Sequence, residues 1–177
     1  LAFVLLLIQA LLGGITVLNE LPRWSVMAHL GLAQGMIAVL LVVLVASSAG
    51  ASLRSPPQFS LAIVVAALAV LALILAGSYV ANTGGATYIC GDSWPLCRGE
   101  VLPQDDLSLI HMGHRWAALL VAIPVSVVAI MTWRLRHQQH QMWPLGAVVA
   151  GLFLVQVLAG GAHMWFDFAA AVRVVHL

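Results

Sequence analysis

His29, His111, His114 and His176 each stand inside a long apolar run, a few residues past its polar start. Imidazole is the commonest metal ligand among side chains, and an ionisable group within an apolar span is costly enough to mark function. His29 lies about five residues into its run, His111 about four, His114 about seven and His176 about eight or nine; at 1.5 Å per residue these depths are roughly 6–13 Å, one shared layer. Histidines at one depth on different helices are what axial ligation of a haem needs, with one neutral imidazole on each side of the iron. The expected pair is His114 with His176, and His29 would serve a separate site. Arg115 follows His114, and Arg173 comes one turn before His176. Two guanidinium groups at that margin suit haem propionates, which they bind bidentately. The alternative for Arg115 is snorkelling to the interface, and for any single histidine it is an interhelical hydrogen bond. His111, one turn from His114, is open between a supporting donor, a proton carrier and an interfacial residue. His163 is expected to be bland, and His137 and His140 solvated.

Cys90 and Cys97 are the only cysteines, with six residues between them that include Trp94-Pro95. On an oxidising face such a pair reads as a disulfide stapling a rigid loop; two free thiols are the alternative.

The elements that must position these residues are membrane helices. Apolar residues make up 63% of the chain and charged residues 7%, against about 25% charged in soluble domains, so lipid has to be the solvent for most of the surface. The net charge of +1 and the absence of lysine argue against a nucleic-acid partner. The apolar runs lack the period-2 alternation of barrel strands. Residues 1–18, 25–48, 60–82, 107–133 and 142–165 each suit a span, and 168–177 begin a sixth. The opening run lacks a basic start and a small-residue cleavage site, so it reads as a span and not a signal peptide. Without an initiator methionine, and ending inside an apolar run, the sequence reads as a piece of a longer protein. All six acids (Glu20, Asp92, Glu100, Asp105, Asp106, Asp167) fall in connections on one side; Arg54, Arg134 and Arg136 fall on the other. The positive-inside rule makes the arginine side cytoplasmic and puts the cysteine loop outside. Trp24, Trp116, Trp133, Trp143 and Trp165 near the span ends fit an aromatic belt.

The chain also contains a copy of itself. Gln9-Ala-Leu-Leu-Gly-Gly14 and Gln156-Val-Leu-Ala-Gly-Gly161 stand 147 residues apart (156 − 9), and at that offset Glu20 meets Asp167, His29 meets His176 and Leu30 meets Leu177. A repeat covering four helices predicts tandem four-helix bundles in parallel orientation. The expected protein is all-α, with this chain covering about six of eight spans. Residues 1–50 would be the last two helices of the N-terminal half, 51–59 a cytoplasmic loop, and 60–177 the C-terminal half, truncated in its last helix.

Cys90-Gly-Asp-Ser-Trp-Pro-Leu-Cys97-Arg-Gly, preceded by Gly77-Ser-Tyr-Val-Ala-Asn-Thr-Gly84, resembles the haem A synthase family, as do His114-Arg115 and the two Gly-Gly…His-Leu units. The resemblance runs through essentially the whole chain. It implies an oxidoreductase of the cell inner (plasma) membrane that oxidises a methyl group of haem O to the formyl group of haem A, for terminal oxidase assembly. It further implies a b-type haem held by His114 and His176, substrate haem at His29, and a Cys90–Cys97 disulfide. The family carries a catalytic glutamate three residues before an earlier histidine, in a region absent here; His111 stands at its repeat-equivalent position, so the piece is expected to be incomplete for catalysis. Expected partners are the lipid bilayer, haem O, haem O synthase, an electron acceptor and a homo-oligomer. The competing readings are a bis-histidine membrane cytochrome b that only transfers electrons and, from the repeat alone, a transporter.

Overall fold

The computed structural model describes residues 2–48, 57–137, 142–166 and 170–176. Arg54, His140, Asp167, Leu177 and the side chain of Arg173 lie outside the described residues, so the expectations placed on them stand where the sequence left them.

Among the described residues six helices follow one another: α1 (Ala2–Leu18), α2 (Arg23–Ser48), α3 (Pro57–Ala81), α4 (Asp106–Arg134), α5 (Met142–Trp165) and α6 (Ala170–His176). No strand is formed among the described residues. Helices α2 to α5 are each long and apolar enough to cross a membrane. Their surfaces are exposed leucine, valine and isoleucine, such as Leu40, Leu41, Val42 and Val43. In water that surface would be a large aggregation-prone patch; in lipid it is the favoured one. The protein is an all-α, multi-pass membrane protein.

Helix ends are set by local chemistry. Pro57 opens α3 at the first helical position, where its missing N–H costs nothing. Asp105 caps α4, accepting the Ser108 amide at 2.9 Å. At the ends of α1 and α3 an asparagine turns back on the carbonyl four residues earlier, Asn19 on Ile15 and Asn82 on Ser78, both at 2.8 Å. The α1–α2 connection is tight enough to force Glu20 and Leu21 to positive φ (59° each), a strain held by the Leu21 amide donating to the Thr16 carbonyl at 2.9 Å.

Each helix packs on the next in sequence, and among the described residues no other pair of helices comes into close backbone contact. Helices α1 and α2, α3 and α4, and α5 and α6 are therefore three antiparallel hairpins. The first joins the second where Arg23 donates to the Thr83 hydroxyl at 3.3 Å and lies over the Tyr79 ring. At the opposite end α4 and α5 close tightly, and a Cβ on Gly146 would collide with the Thr132 hydroxyl. Helix α6 touches α5 but stands away from α4, which leaves side chains to bridge that space.

Candidate functional site: a histidine pair between helices

All three histidines expected to hold haem sit in the same way. Each lies on the second helix of a hairpin, with its ring against a glycine of the first. A Cβ at Gly13 would meet Cε1 of His29 at 2.9 Å, one at Gly77 would meet Cε1 of His114 at 3.0 Å, and one at Gly160 would meet Cε1 of His176 at 2.9 Å. An added Cβ at Gly13 or Gly160 would force the ring to shift, and one at Gly77 would press it by a few tenths of an ångström, so glycine suits the close approach. Gly13 and Gly160 are the repeat-equivalent first glycines of the two Gly-Gly pairs. Gly77 supplies the same seat in the middle hairpin without a second glycine beside it.

Helices α4 and α6 bring His114 and His176 face to edge, with ring centroids 6.5 Å apart and planes at 76°. Two imidazoles that would hold one metal at a bond length of about 2 Å each could lie up to roughly 6 Å apart, centroid to centroid. The observed spacing is close to that limit. The protonation pattern also suits ligation at His176. Its Nδ1 lies 3.1 Å from the Gln156 carbonyl oxygen, which can only accept, so Nδ1 carries the proton and Nε2 keeps its lone pair. Nδ1 of His114 is buried without a hydrogen-bond partner, so no described protein group fixes its tautomer as the Gln156 carbonyl fixes that of His176. Two imidazoles from two helices are a sparse donor set. They suit a metal that arrives with its own equatorial ligands, as a porphyrin provides.

His163 was expected to be bland and is not remote. It lies one turn outward from Gly160 on α5, and its ring is edge-on to His176 at 5.2 Å between centroids. Its place could have been found from the spacing: if His176 seats on Gly160, the residue three positions on shares that helix face.

The residues around His114 on α4 hold the outer loop. Cys90 and Cys97 form a disulfide, both almost fully buried against Met112, with Ile89 and Trp116 beside them. Arg115 donates through Nη1 to the carbonyls of Ser93, Pro95 and Leu96 at 3.0, 3.0 and 2.8 Å. Through Nη2 it donates to His111 Nε2 at 3.3 Å, and His111 Nδ1 donates to the Ala86 carbonyl at 2.8 Å. His111 thereby links Arg115 to the loop. Arg115 has a duty that its position beside His114 did not suggest: its Nη1 is committed to the loop, and only Nε–H and one Nη2–H remain for another anion. The loop reaches across to α5, where Trp94 packs edge-on to Trp165 (5.4 Å) and against Gly161, whose Cβ would meet the indole at 3.0 Å. The two glycines of that pair thus have separate tasks, Gly160 seating His176 and Gly161 seating Trp94.

His29 lies in the first hairpin, apart from the His114–His176 pair. Its ring is held by Gln9, whose Nε2 stands 3.2 Å from His29 Nε2 and 3.0 Å from the His29 carbonyl oxygen.

Several curated relatives carry the name Heme A synthase. That of Shouchella clausii is 32% identical over 116 residues, 64% of this chain and 38% of the relative. That of Staphylococcus saprophyticus is 35% identical over 104 residues, 58% of this chain and 34% of the relative. That of Geobacillus thermodenitrificans is 34% identical over 112 residues, 62% and 35%. The matched stretch spans little more than a third of the relatives' own length. The model of the family described as cytochrome oxidase assembly protein matches residues 1–177, and the chain belongs to that family.

Proposed function

We propose that this chain is part of a haem A synthase that oxidises the methyl group of haem O to a formyl group. The observation that carries the reading is the His114–His176 pair, spaced for one metal between two helices. In this reading the pair holds a resident b-type haem, and substrate haem O meets His29 in the other hairpin. Haem bound at the pair would supply a one-electron redox centre near the site of methyl oxidation, which has to shed electrons and protons.

The chain's own residues do the positioning. Gly77 and Gly160 let the two rings approach their helices closely enough to face each other. The Gln156 carbonyl fixes the tautomer of His176, so that Nε2 is the free nitrogen. The disulfide loop, tied down by Arg115, His111 and Trp94, joins α4 to α5 beside the pair on the side assigned to the cell exterior. Arg115 keeps two N–H groups that suit a propionate, and Arg173 is proposed as the second propionate partner. The assignment of 1–50 to the last two helices of an N-terminal four-helix half and of 60–177 to the C-terminal half, the bacterial inner membrane as location, and haem O synthase, an electron acceptor and a second copy of the chain as partners belong to the same proposal.

The test is substitution of His114 and of His176 by alanine in the protein extended to its relatives' length, with haem extraction and reduced-minus-oxidised spectra. Each variant is expected to lose the low-spin b-type signal. Undiminished b-haem in either would remove that histidine from the ligand set. Conversion of supplied haem O to haem A by the unsubstituted protein separates a synthase from a cytochrome that only carries electrons.

A further inference from the structure

The two repeat-equivalent histidines differ in which ring nitrogen is free, and the difference comes from a pair of glutamines also equivalent in the repeat. Gln156 is exposed, and its amide donates to the Val175 carbonyl at 3.1 Å, away from the His176 ring. Only its main-chain oxygen meets His176, at Nδ1. Gln9 is buried, and its amide nitrogen meets both the His29 carbonyl and His29 Nε2. A carbonyl oxygen can only accept, so the amide orientation is fixed and the same nitrogen donates to the ring. His29 Nε2 is therefore an acceptor, its lone pair already used. The ring proton sits on Nδ1, which is buried with no partner, as is Gln9 Oε1.

From this geometry we infer that Gln9 is a positioning residue that competes with haem iron for His29, making ligation there exchangeable while ligation at His176 is lasting. The inference rests on the proposed role of His29 as a haem ligand. At His176 the supporting hydrogen bond falls on the nitrogen opposite the metal and strengthens the ligand. At His29 the bond falls on the nitrogen the metal needs, and has to break before that nitrogen can bind iron. A site that accepts a substrate haem and releases a product haem requires such a weak hold; a resident electron carrier requires the opposite.

The experiment uses the protein extended to its relatives' length, loaded with haem O, and follows haem transfer to excess apomyoglobin by absorbance, together with the low-spin spectrum of each haem. Gln9→Met keeps length and removes the donor; Gln9→Leu removes it with a branched apolar side chain. Both are expected to slow release of the exchangeable haem by roughly three- to tenfold, the range one net hydrogen bond spans, with the b-type signal unchanged. Simple damage to the hairpin would instead speed release. Unchanged or faster release in both variants, with the b-type signal intact, overturns the inference. Gln156→Met serves as the contrast and is expected to leave retention of the b-type haem unaltered; faster loss there would overturn the division of roles. His29→Ala separates the two levels: if it retains both haems, His29 is no ligand and the underlying reading fails, whereas loss of the exchangeable haem alone leaves the Gln9 variants as the deciding test.

Discussion

At the scale of the residue, the site depends as much on what is missing at three glycines as on what is present at three histidines. Gly160→Ala would place a methyl group 2.9 Å from His176 Cε1, an overpacking that costs about 1–3 kcal/mol unless the ring moves. The ring is the freer partner, so the variant is expected to lose b-haem occupancy. Gly161→Ala meets Trp94 instead and is expected to keep the b-type spectrum while loosening the loop. Spectra of the two purified variants check this contrast, and equal haem loss in both would show that the pair matters only for helix packing. Both glycines are legible in the sequence as one motif. Their separate tasks are not, because neighbours 100° apart on a helix face different partners.

At the scale of the element, α4 carries two functions on two faces. His114 turns toward α3 and α6, while His111, Met112, Arg115 and Trp116 engage the loop. Removing the guanidinium, as in Arg115→Met, unties three loop carbonyls; faster proteolytic nicking between residues 90 and 97 is expected, with the helix itself intact. Reducing the disulfide should act at the same place, costing about 2–3 kcal/mol by the loop-closure estimate for so short a span. The start of α4 carries a pH dependence of its own. The Ser108 amide bonded to Asp105 holds its carboxyl below the ordinary value of 3.8. A depressed native pKa means that the cap's contribution is present above that value and is lost as pH falls through the lower, native one. The Ser108 amide resonance is therefore expected to titrate below pH 3.8, with fraying of the first turn, and a midpoint above that value would contradict the cap.

At the scale of the whole molecule, three antiparallel hairpins stand side by side with their histidine seats at a common depth, about one and a half to two turns in from the same ends of their helices. Because the hairpins are joined in series, the disulfide loop and the α1–α2 turn share one side of the membrane. With the orientation assigned by the arginines, membrane-impermeant maleimide added outside intact cells is expected to label a Leu102→Cys variant, whose position is exposed in the same loop. Labelling only after the cells are opened would invert the topology.

What the sequence determined by itself is what depends on composition and on one-dimensional spacing. Too little charge to cover a water-facing surface makes a membrane protein. Apolar runs of span length make helices, and boundaries such as Arg23–Ser48 and Pro57–Ala81 fall within about three residues of those read from hydropathy. The shared depth of His29, His114 and His176 follows from counting residues, and the repeat from matching letters. The tertiary structure decided what depends on the direction a side chain takes from its helix. It turned Arg115 to the loop carbonyls, gave His111 an anchoring bond, and brought His163 to the edge of His176. It also gave His29 and His176, equivalent in the repeat, hydrogen bonds on opposite ring nitrogens. Depth along a helix is additive in residue number and so can be read in advance. Azimuth and hydrogen-bond direction depend on which neighbour arrives across the gap, and that is settled only when the helices pack.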